Sequence, residues 1–253
     1  MRPRVIPSLL LQGRKLIKTK QFKSSVYLGD PINAVKLFND KEVDELVLFD
    51  IEKSKTHSEP DFAFIEEICS EAFMPICYGG GIKTTDQMRQ LFNLGVEKIS
   101  LSSALFENPQ LIQEANALFG AQSIVVTLHT KLDFFNRIKP FNPSTKKIIS
   151  DDIVSLIKRI ESLGAGEIIL YSVDRDGMMN GYDLKTISQA TSDLKIPLVA
   201  CGGAKTLDDC RAAIHAGASA VSAGSMFVFQ GELNGVLINF PSQDELRRAL
   251  NAQ

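Results

Sequence analysis

Short apolar runs alternate with amphipathic stretches along the whole chain. The apolar runs are nearly continuous, which is typical of strands buried on both faces of a parallel sheet. Eight strands are predicted, at Arg4–Leu11, Glu45–Ile51, Met74–Tyr78, Lys98–Leu101, Ser123–Leu128, Glu167–Val173, Ile196–Cys201 and Ala220–Ala223. Each is followed by a stretch with helical spacing, so the pattern predicts repeated β–α units.

Helix start signals stand between the predicted strands. Asp30-Pro31 is a clear one, because aspartate caps a helix N-terminus and proline suits the first turn. Further helices are predicted to start near Pro60, Thr84, Pro109, Ser150, Asp183, Thr206 and Ser242. Eight units in 253 residues favour a closed α/β barrel, the (β/α)8 or TIM barrel, in one domain over residues 1–253. We expect Lys131–Lys147 to be an extended loop after the fifth strand.

The chain contains an internal repeat. The segment Met74–Thr84 resembles Lys195–Thr206, at an offset of 122 residues. Pairs that share this offset are Pro75 with Pro197, Glu45 with Glu167, Gly95 with Gly217, and Ser103 with Ser225. The sequence therefore predicts two half-barrels of four strands each.

Composition narrows the class of protein. The net charge of −2 gives no indication of a nucleic-acid surface, and no apolar run reaches the length of a membrane span. The N-terminus has no signal-peptide pattern, and the four cysteines show no CxxC spacing, so we expect a cytoplasmic protein with reduced thiols. No cluster has metal-ligand spacing, and no metal or cofactor is predicted.

Glycine and serine pairs stand where four strands end. These pairs are Gly80-Gly81, Ser102-Ser103, Gly202-Gly203 and Gly224-Ser225, after strands three, four, seven and eight. Glycine lets backbone N–H groups approach a phosphate, and a following helix N-terminus favours negative charge. Two such sites on opposite sides of the mouth suggest a ligand with two phosphates. The alternative is that these glycines only make tight turns between strand and helix.

Taken together, several motifs give the chain a specific resemblance. They are Arg4-Val5-Ile6-Pro7, Gly29-Asp30-Pro31, Asp44-Glu45-Leu46, Tyr78-Gly79-Gly80-Gly81-Ile82, Gly164-Ala165-Gly166-Glu167-Ile168, Asp174-Arg175-Asp176-Gly177 and Ala200-Cys201-Gly202-Gly203-Ala204. Over nearly its whole length the chain resembles the cyclase subunit of imidazole glycerol phosphate synthase. The resemblance implies a heterodimer with a glutaminase subunit on the N-terminal barrel face, whose ammonia crosses the barrel to a phosphate-bearing substrate.

The resemblance also implies an ammonia gate at the bottom of the barrel. Its four positions are Arg4, Glu45, Lys98 and Glu167, each at the start of a strand. Two cations with two anions can pair there, which offsets the cost of burying them. The alternative is a structural plug that stabilises the barrel floor.

At the mouth the chain departs from the family pattern. The family has an acid–base aspartate at the end of strand one and another at the end of strand five, and here Leu10 and His129 stand in those positions. Leucine cannot move a proton, and each lost carboxylate removes a contribution of about 10²–10⁴-fold to the rate. Leu10 is one of the features that resemble a divergent second-copy branch, which is associated with acetamidino sugar modification for surface polysaccharide, including lipopolysaccharide. The others are Val43-Asp44-Glu45-Leu46, Phe73-Met74-Pro75-Ile76-Cys77-Tyr78-Gly79 and Gly224-Ser225-Met226-Phe227-Val228-Phe229.

Other mouth residues have two interpretations each. His129 is either a substitute base or a polar residue without a proton role. Asp174 and Asp176, after strand six, are either functional or loop caps. Lys18 lies in the loop Gln12–Tyr27, a basic segment suited to a mobile lid, and is expected to reach a substrate phosphate. Asp50, at the end of strand two, is a candidate acceptor for substrate.

Three functions remain open at this stage. The first is a synthase-type subunit of a glutamine amidotransferase that passes ammonia to a phosphorylated or nucleotide-linked acceptor. The second is a genuine cyclase of histidine biosynthesis that has moved its acid–base groups, with His129 among them. The third is a non-catalytic barrel that binds phosphate ligands and activates its glutaminase.

Overall fold

The computed structural model describes residues 3–231 and 233–251. Its strands are β1 (Arg4–Gln12), β2 (Lys15–Lys20), β3 (Ser24–Gly29), β4 (Leu46–Asp50), β5 (Ile76–Gly79), β6 (Lys98–Leu101), β7 (Ile124–Leu132), β8 (Ile138–Asn142), β9 (Lys147–Ile148), β10 (Glu167–Ser172), β11 (Leu198–Cys201), β12 (Ala220–Ala223), β13 (Phe229–Gln230) and β14 (Gly235–Val236). Its α-helices are α1 (Pro31–Asp40), α2 (Ile51–Thr56), α3 (Phe62–Glu71), α4 (Thr85–Asn93), α5 (Ala104–Glu107), α6 (Gln110–Phe119), α7 (Ile153–Ser162), α8 (Leu184–Thr191), α9 (Leu207–His215), α10 (Ser225–Val228) and α11 (Gln243–Asn251).

Eight parallel strands close into a barrel. Their order is β1-β4-β5-β6-β7-β10-β11-β12, and β12 pairs with β1 to complete the ring. Helices surround these strands, with apolar residues between the two layers. The predicted (β/α)8 barrel is confirmed.

Two of the strands start later than predicted for a common reason. Strands β5 and β11 begin at Ile76 and Leu198, two residues later than expected. The residue before each is a proline, which has no N–H to donate to a sheet ladder. The carbonyl of Pro75 still accepts a hydrogen bond from the N–H of Leu46, at 2.9 Å.

The prediction of an extended loop over Lys131–Lys147 is wrong. Strand β7 runs on to Leu132, and β8 and β9 continue it as an antiparallel arm. The carboxylate of Asp133 accepts hydrogen bonds from the N–H groups of Phe135 and Arg137, and this closes the turn between β7 and β8. The segment Gln12–Tyr27 is likewise not a loop but the β2–β3 hairpin, paired with the end of β1.

The internal repeat has a structural counterpart. Thr84 and Thr206 each cap a helix, α4 or α9, through a reciprocal capping box. Their box partners, Gln87 and Asp209, keep the 122-residue offset. The same local hydrogen bonding therefore starts one helix in each half of the barrel.

Inside the barrel, a middle layer of mostly apolar side chains separates the two ends. Its members are Ile6, Val47, Cys77, Val125, Ile169, Val199 and Ala220. Side chains alternate along a strand, so the residues two positions before and after these members also point inward. The layer therefore has charged residues on one side and the mouth on the other.

Within the part of the chain that the structure describes, no helix is long and apolar enough to cross a membrane. All four cysteines are free thiols, three of them buried. Among the same residues, no group of histidine, cysteine and acidic side chains could hold a metal ion.

Candidate active site and barrel floor

Four charged side chains form a closed ring at the N-terminal ends of the barrel strands. We call Arg4, Glu45, Lys98 and Glu167 the floor ring. Arg4 donates hydrogen bonds to Glu45 and Glu167, and Lys98 bonds the same two carboxylates at 2.8 and 2.9 Å. Cation and anion alternate around the ring, so each charge lies between two partners of opposite sign.

The environment of the floor ring keeps its cations charged. Burial opposes the charged form of Arg4, but the bonds and charges of Glu167 and Glu45 outweigh burial and raise its pKa. The same balance raises the pKa of Lys98. The glutamate side chains are 5 and 7 % exposed. Removal of either cation leaves two buried carboxylates to share one positive charge, so all four residues contribute to the stability of the floor.

At the opposite end, the buried carboxylate of Asp176 organises the mouth. It accepts hydrogen bonds from Lys18 at 2.5 Å, Thr19 at 2.7 Å and Tyr171 at 2.9 Å. Lys18 and Thr19 belong to β2, whereas Tyr171 belongs to β10. Asp176 therefore ties the β2–β3 hairpin to the far wall of the barrel.

The tip of the β2–β3 hairpin inserts over the mouth. Gln21 is bonded twice to the loop after β10, through its N–H to Asp176 O and its amide to Asp174 O, both at 2.9 Å. Phe22 packs edge-on against Tyr171 and His129, with ring centroids 5.3 and 5.4 Å away. The segment that was expected to be a mobile lid is therefore a closed hairpin. Its Phe22 ring packs over His129 and Tyr171 at the mouth of the barrel.

Leu10 and His129 lie under this closed hairpin. Leu10 is buried and pairs with Ile17 of β2 and Phe49 of β4. His129 is 8 % exposed, stacks on Tyr171 and shares a 3.0 Å hydrogen bond between Nδ1 and the Ser102 hydroxyl. The two positions to which the resemblance assigns acid–base carboxylates hold a hydrocarbon side chain and an enclosed imidazole.

Burial lowers the pKa of His129 to about 4, an effect that the Asp176 charge opposes only in part. The imidazole is therefore neutral at physiological pH. A neutral imidazole accepts and donates hydrogen bonds, but so low a pKa makes it a weak general base near neutrality. This favours the polar role over the proton-transfer role for His129.

Two of the predicted site aspartates accept hydrogen bonds from backbone N–H groups. Asp174 accepts the N–H of Leu132 at 2.7 Å, which fixes the end of β7. Asp50 caps α2 by accepting N–H groups of Glu52 and Lys53 at 3.1 and 3.0 Å. Burial raises the pKa of Asp50. The Asp174 carboxylate thus bonds another strand rather than capping its own loop, whereas capping does occupy Asp50.

The second-half glycine turns line a small cavity with Lys18 and Asp176. Gly202, Gly203 and Gly224 border it, and the cavity has room for roughly one water molecule. Ser225 also lines it, and its buried hydroxyl oxygen has no hydrogen-bond partner among the residues that the structure describes. A phosphate group is larger than one water molecule, so it does not fit this cavity while the β2–β3 hairpin is closed.

Close backbone packing also explains these glycines. Gly203 has φ +109°, and a Cβ there would lie 2.1 Å from Gly181 O. Gly80, at φ +141°, would place a Cβ 2.4 Å from Asp50 O. Gly81 and Gly202 are constrained in the same way, with φ of +72° and +96°. The turn geometry alone thus requires glycine, whether or not a phosphate binds.

The remaining predicted residues lie at the start of α5. Ser103 is its N-terminal neighbour and makes no side-chain cap bond, while Ser102 bonds His129. Sequence analysis missed Tyr171, Phe22 and Thr19. The inward spacing from Glu167 through Ile169 could have indicated Tyr171, because alternate residues of β10 share a face. Nothing in the sequence indicates the insertion of Phe22, which depends on the hairpin fold.

Comparisons with known proteins agree with this architecture. Residues 4–234 match the family model described as histidine biosynthesis protein. The chain is 48 % identical to a Vibrio vulnificus protein named as imidazole glycerol phosphate synthase subunit hisF3, over 99 % of this chain and 97 % of the relative. It is 42 % identical to a Pseudomonas aeruginosa protein named as subunit hisF2 of the same synthase, over 97 % of this chain and 98 % of the relative. The subunit HisF of Exiguobacterium sibiricum is 35 % identical, over 88 and 90 %. The chain therefore belongs to the histidine biosynthesis protein family, among relatives named as HisF subunits of imidazole glycerol phosphate synthase.

Proposed function

We propose that this chain is the synthase-type subunit of a glutamine amidotransferase, receiving ammonia from a glutaminase bound at its N-terminal face. The observation that carries the proposal is the pairing of a complete floor ring with an altered mouth. The ring keeps all four residue types at the barrel entrance. The relatives of this chain are named as subunits of a synthase, and this supports the proposal that it works with a partner chain.

Different chemistry from the histidine-pathway cyclisation is proposed at the mouth. Leu10 offers no proton, and burial holds His129 neutral with a pKa of about 4. Asp176 is already committed to three donors, among them Lys18. No free carboxylate among these three positions is left to serve as the acid or base of a cyclisation.

The acceptor of the ammonia is proposed to carry phosphate. The glycine turns and the Ser225 hydroxyl, which has no partner within the described part of the chain, supply donors that suit a phosphate oxygen. Similarity to copies numbered hisF2 and hisF3 supports a role outside the main pathway. We place that role in acetamidino modification of a nucleotide-linked sugar for surface polysaccharide, with a separate ligase completing the amidation.

The test is reconstitution with the HisH-type glutaminase from the same genome. We expect a one-to-one complex at micromolar concentration and glutaminase activity that rises on binding. Lys98→Met is expected to keep the complex but to uncouple glutamine hydrolysis from product formation, because it leaves Glu45 and Glu167 with Arg4 alone. Products are identified by mass spectrometry with nucleotide sugars as acceptors.

Lys195→Met is the matched control, since Lys195 is an exposed lysine just before β11, outside the floor ring. It is expected to leave complex formation and coupling unchanged. Failure to form a complex with any glutaminase of that genome contradicts the proposal. Equal uncoupling by both variants assigns the effect to the surface of the floor rather than to the ring.

A genuine cyclase is the second candidate function, and it is favoured by relatives that are named for the histidine-pathway activity. The HisF subunit of Exiguobacterium sibiricum is one of these. Ammonia-dependent turnover of the pathway's bisphosphate substrate distinguishes the two. We expect turnover at least 10²-fold below that of a cyclase with both aspartates, from the loss of acid–base groups alone.

A further inference from the structure

The arm formed by β7, β8 and β9 carries two lysines side by side above the mouth. Lys131 of β7 lies directly opposite Lys139 of β8 in the antiparallel register, and we call this pair the lysine rung. The pair two residues closer to the barrel is His129 opposite Phe141. Alternate residues of a strand share a face, so the lysine rung lies on the face of His129, which points into the mouth. The arm therefore extends the wall of the mouth outward with two positive charges.

The lysine rung is unfavourable as long as no anion lies beside it, because like charges directly opposite each other on a sheet face repel. Among the residues that the structure describes, neither ammonium forms an ion pair with a carboxylate. Lys131 lies over the ring of Phe141, 4.9 Å from its centroid, and Lys139 donates to the carbonyl of Ser150 at 3.1 Å. The charge of Asp152 reaches Lys139, but the Asp152 carboxylate caps α7. The rung thus keeps two positive charges that one anion can bridge.

The tip of the same arm exposes two phenyl rings. Phe134 is 94 % exposed and Phe135 71 %, and the rings meet edge to face with centroids 5.5 Å apart. A salt bridge between Asp133 and Arg137 fixes the turn that carries them, and the Arg137 guanidinium lies over the Phe135 ring at 5.0 Å. Adjacent exposed apolar groups commonly mark a binding site. Phe134 offers a ring on which a flat ligand group, such as a nucleobase, can stack.

The order of these groups along β7 matches the order of groups in a nucleotide-linked molecule. Lys131 follows His129 by two residues, about 7 Å of strand, and Phe134 follows Lys131 by three residues, at most about 10 Å. In a nucleoside diphosphate linked to a sugar, the diphosphate stands between the sugar and the nucleoside. Its oxygens accept charge-assisted hydrogen bonds from ammonium groups. A sugar directed toward the mouth thus places the diphosphate at the lysine rung and the base near the tip.

We propose that the lysine rung binds the diphosphate of a nucleotide-linked acceptor, whose base stacks on Phe134 at the tip of the arm. The inference rests on the proposed function, because it assigns a binding site to the acceptor proposed there. Both lysines are partly exposed although the β2–β3 hairpin is closed, so the diphosphate can bind before the hairpin opens. The site also sets specificity, since a ligand with two separate phosphate monoesters has no diphosphate to bridge the rung.

The experiment is a calorimetric titration of the isolated barrel with uridine diphosphate, and in parallel with pyrophosphate, at neutral pH. We expect saturable binding of uridine diphosphate. Lys131→Met and Lys139→Met are each expected to raise its dissociation constant about tenfold or more, the effect of one hydrogen bond between charged groups. Phe134→Ser is expected to weaken the binding of uridine diphosphate but not that of pyrophosphate, which has no base to stack.

Lys147→Met is the matched control, because it removes one exposed lysine from the same arm. Lys147 pairs with Asn142, whereas its neighbour Ile148 pairs with Phe141, so Lys147 lies on the face opposite the lysine rung. It is expected to change the dissociation constant by less than about twofold, as for an exposed charge. Equal weakening by Lys147→Met and Lys131→Met overturns the inference. So does the absence of saturable binding, or uridine diphosphate binding that neither rung variant changes.

Two comparisons complete the test. Equal affinities for uridine diphosphate and pyrophosphate, both unaffected by Phe134→Ser, overturn the assignment of a nucleotide. The titration needs no partner chain, so rung-dependent binding without a glutaminase complex counts against the proposed function alone. A glutaminase complex whose barrel binds no uridine diphosphate through the rung counts against the lysine rung alone.

Discussion

The ammonium of Lys18 and the carboxylate of Asp176 lie 2.5 Å apart, with side-chain exposures of only 6 and 2 %. The pair joins β2 to the loop after β10, across the barrel mouth. The sequence suggested Lys18 as a residue that reaches a substrate phosphate, and in the closed conformation it instead meets its counter-charge. Opening the hairpin would release Lys18 toward the cavity that it lines with Gly203 and Ser225.

Asp176→Asn is expected to lower the free energy of unfolding by about 3–5 kcal/mol, because it leaves a buried ammonium without its counter-charge. Urea denaturation measures this. Amide hydrogen exchange over residues 15–29 is expected to accelerate, since three donors bond Asp176 and two of them belong to β2.

The control for that variant is Asp193→Asn. Asp193 forms an exposed pair with Lys158 at 3.3 Å, a kind of contact worth about 0–1 kcal/mol. If both variants lower the free energy of unfolding by the same amount, the Lys18–Asp176 pair does not hold the β2–β3 hairpin closed.

Glu45→Gln tests the floor ring. Glu45 accepts from both Arg4 and Lys98, so the change is expected to destabilise the barrel by about 3 kcal/mol or more. Thermal unfolding at neutral pH measures the loss. Glu97, which precedes Lys98 in the chain, is an exposed carboxylate. The variant Glu97→Gln is expected to change the free energy of unfolding by less than about 0.5 kcal/mol. A ring variant as stable as Glu97→Gln would mean that the four charges are not mutually dependent.

The sequence predicts the barrel well because each β–α unit carries a local signal. Alternation of apolar runs located all eight barrel strands, and Thr84 and Thr206 marked two helix starts that the capping boxes confirm. Where the sequence prediction failed, the determinant was a side-chain contact that hydrophobic periodicity does not reveal. The β8 arm depends on a side-chain turn at Asp133, and the closed hairpin depends on contacts between residues about 150 positions apart, such as Gln21 with Asp174.

For the mouth, the sequence predicted which residues lie there but not their protonation state or their contacts. The sequence placed Leu10 and His129 at the ends of their strands, but β1 runs on to Gln12 and β7 runs on to Leu132. The neutral state of His129 follows from enclosure by Phe22 and Tyr171, which come from two other elements. The pairing of Thr127 with Ser100 depends on the register of β6 against β7 and was not predicted.

Gly203→Ala tests the turn geometry at the second-half glycines. Gly203 combines φ +109° with a Cβ position 2.1 Å from a backbone oxygen, so the variant is expected to lose about 3 kcal/mol or more in urea denaturation. Gly231→Ala is the control, because Gly231 has φ +74° but open space around its Cβ position. It is expected to lose only the backbone cost of about 1–2 kcal/mol. Equal losses would show that the turn at Gly203 can relax.

Protonation of His129 is expected to make the barrel acid-sensitive in a defined window. Its pKa falls from an unfolded value near 6.5 to about 4 in the folded chain, chiefly through burial. Between these values the unfolded chain binds more protons, so the free energy of unfolding declines as pH falls from about 6.5 to about 4. The complete loss is on the order of 3 kcal/mol, and above pH 6.5 this group has no effect.

His129→Gln keeps a polar side chain without the titration and is expected to flatten that part of the stability curve, measured by urea denaturation at several pH values. His215→Gln, at an exposed position, is expected to leave the curve unchanged. A curve for His129→Gln that parallels the natural chain would show that other groups cause the acid sensitivity, and that the imidazole is not held neutral by its enclosure.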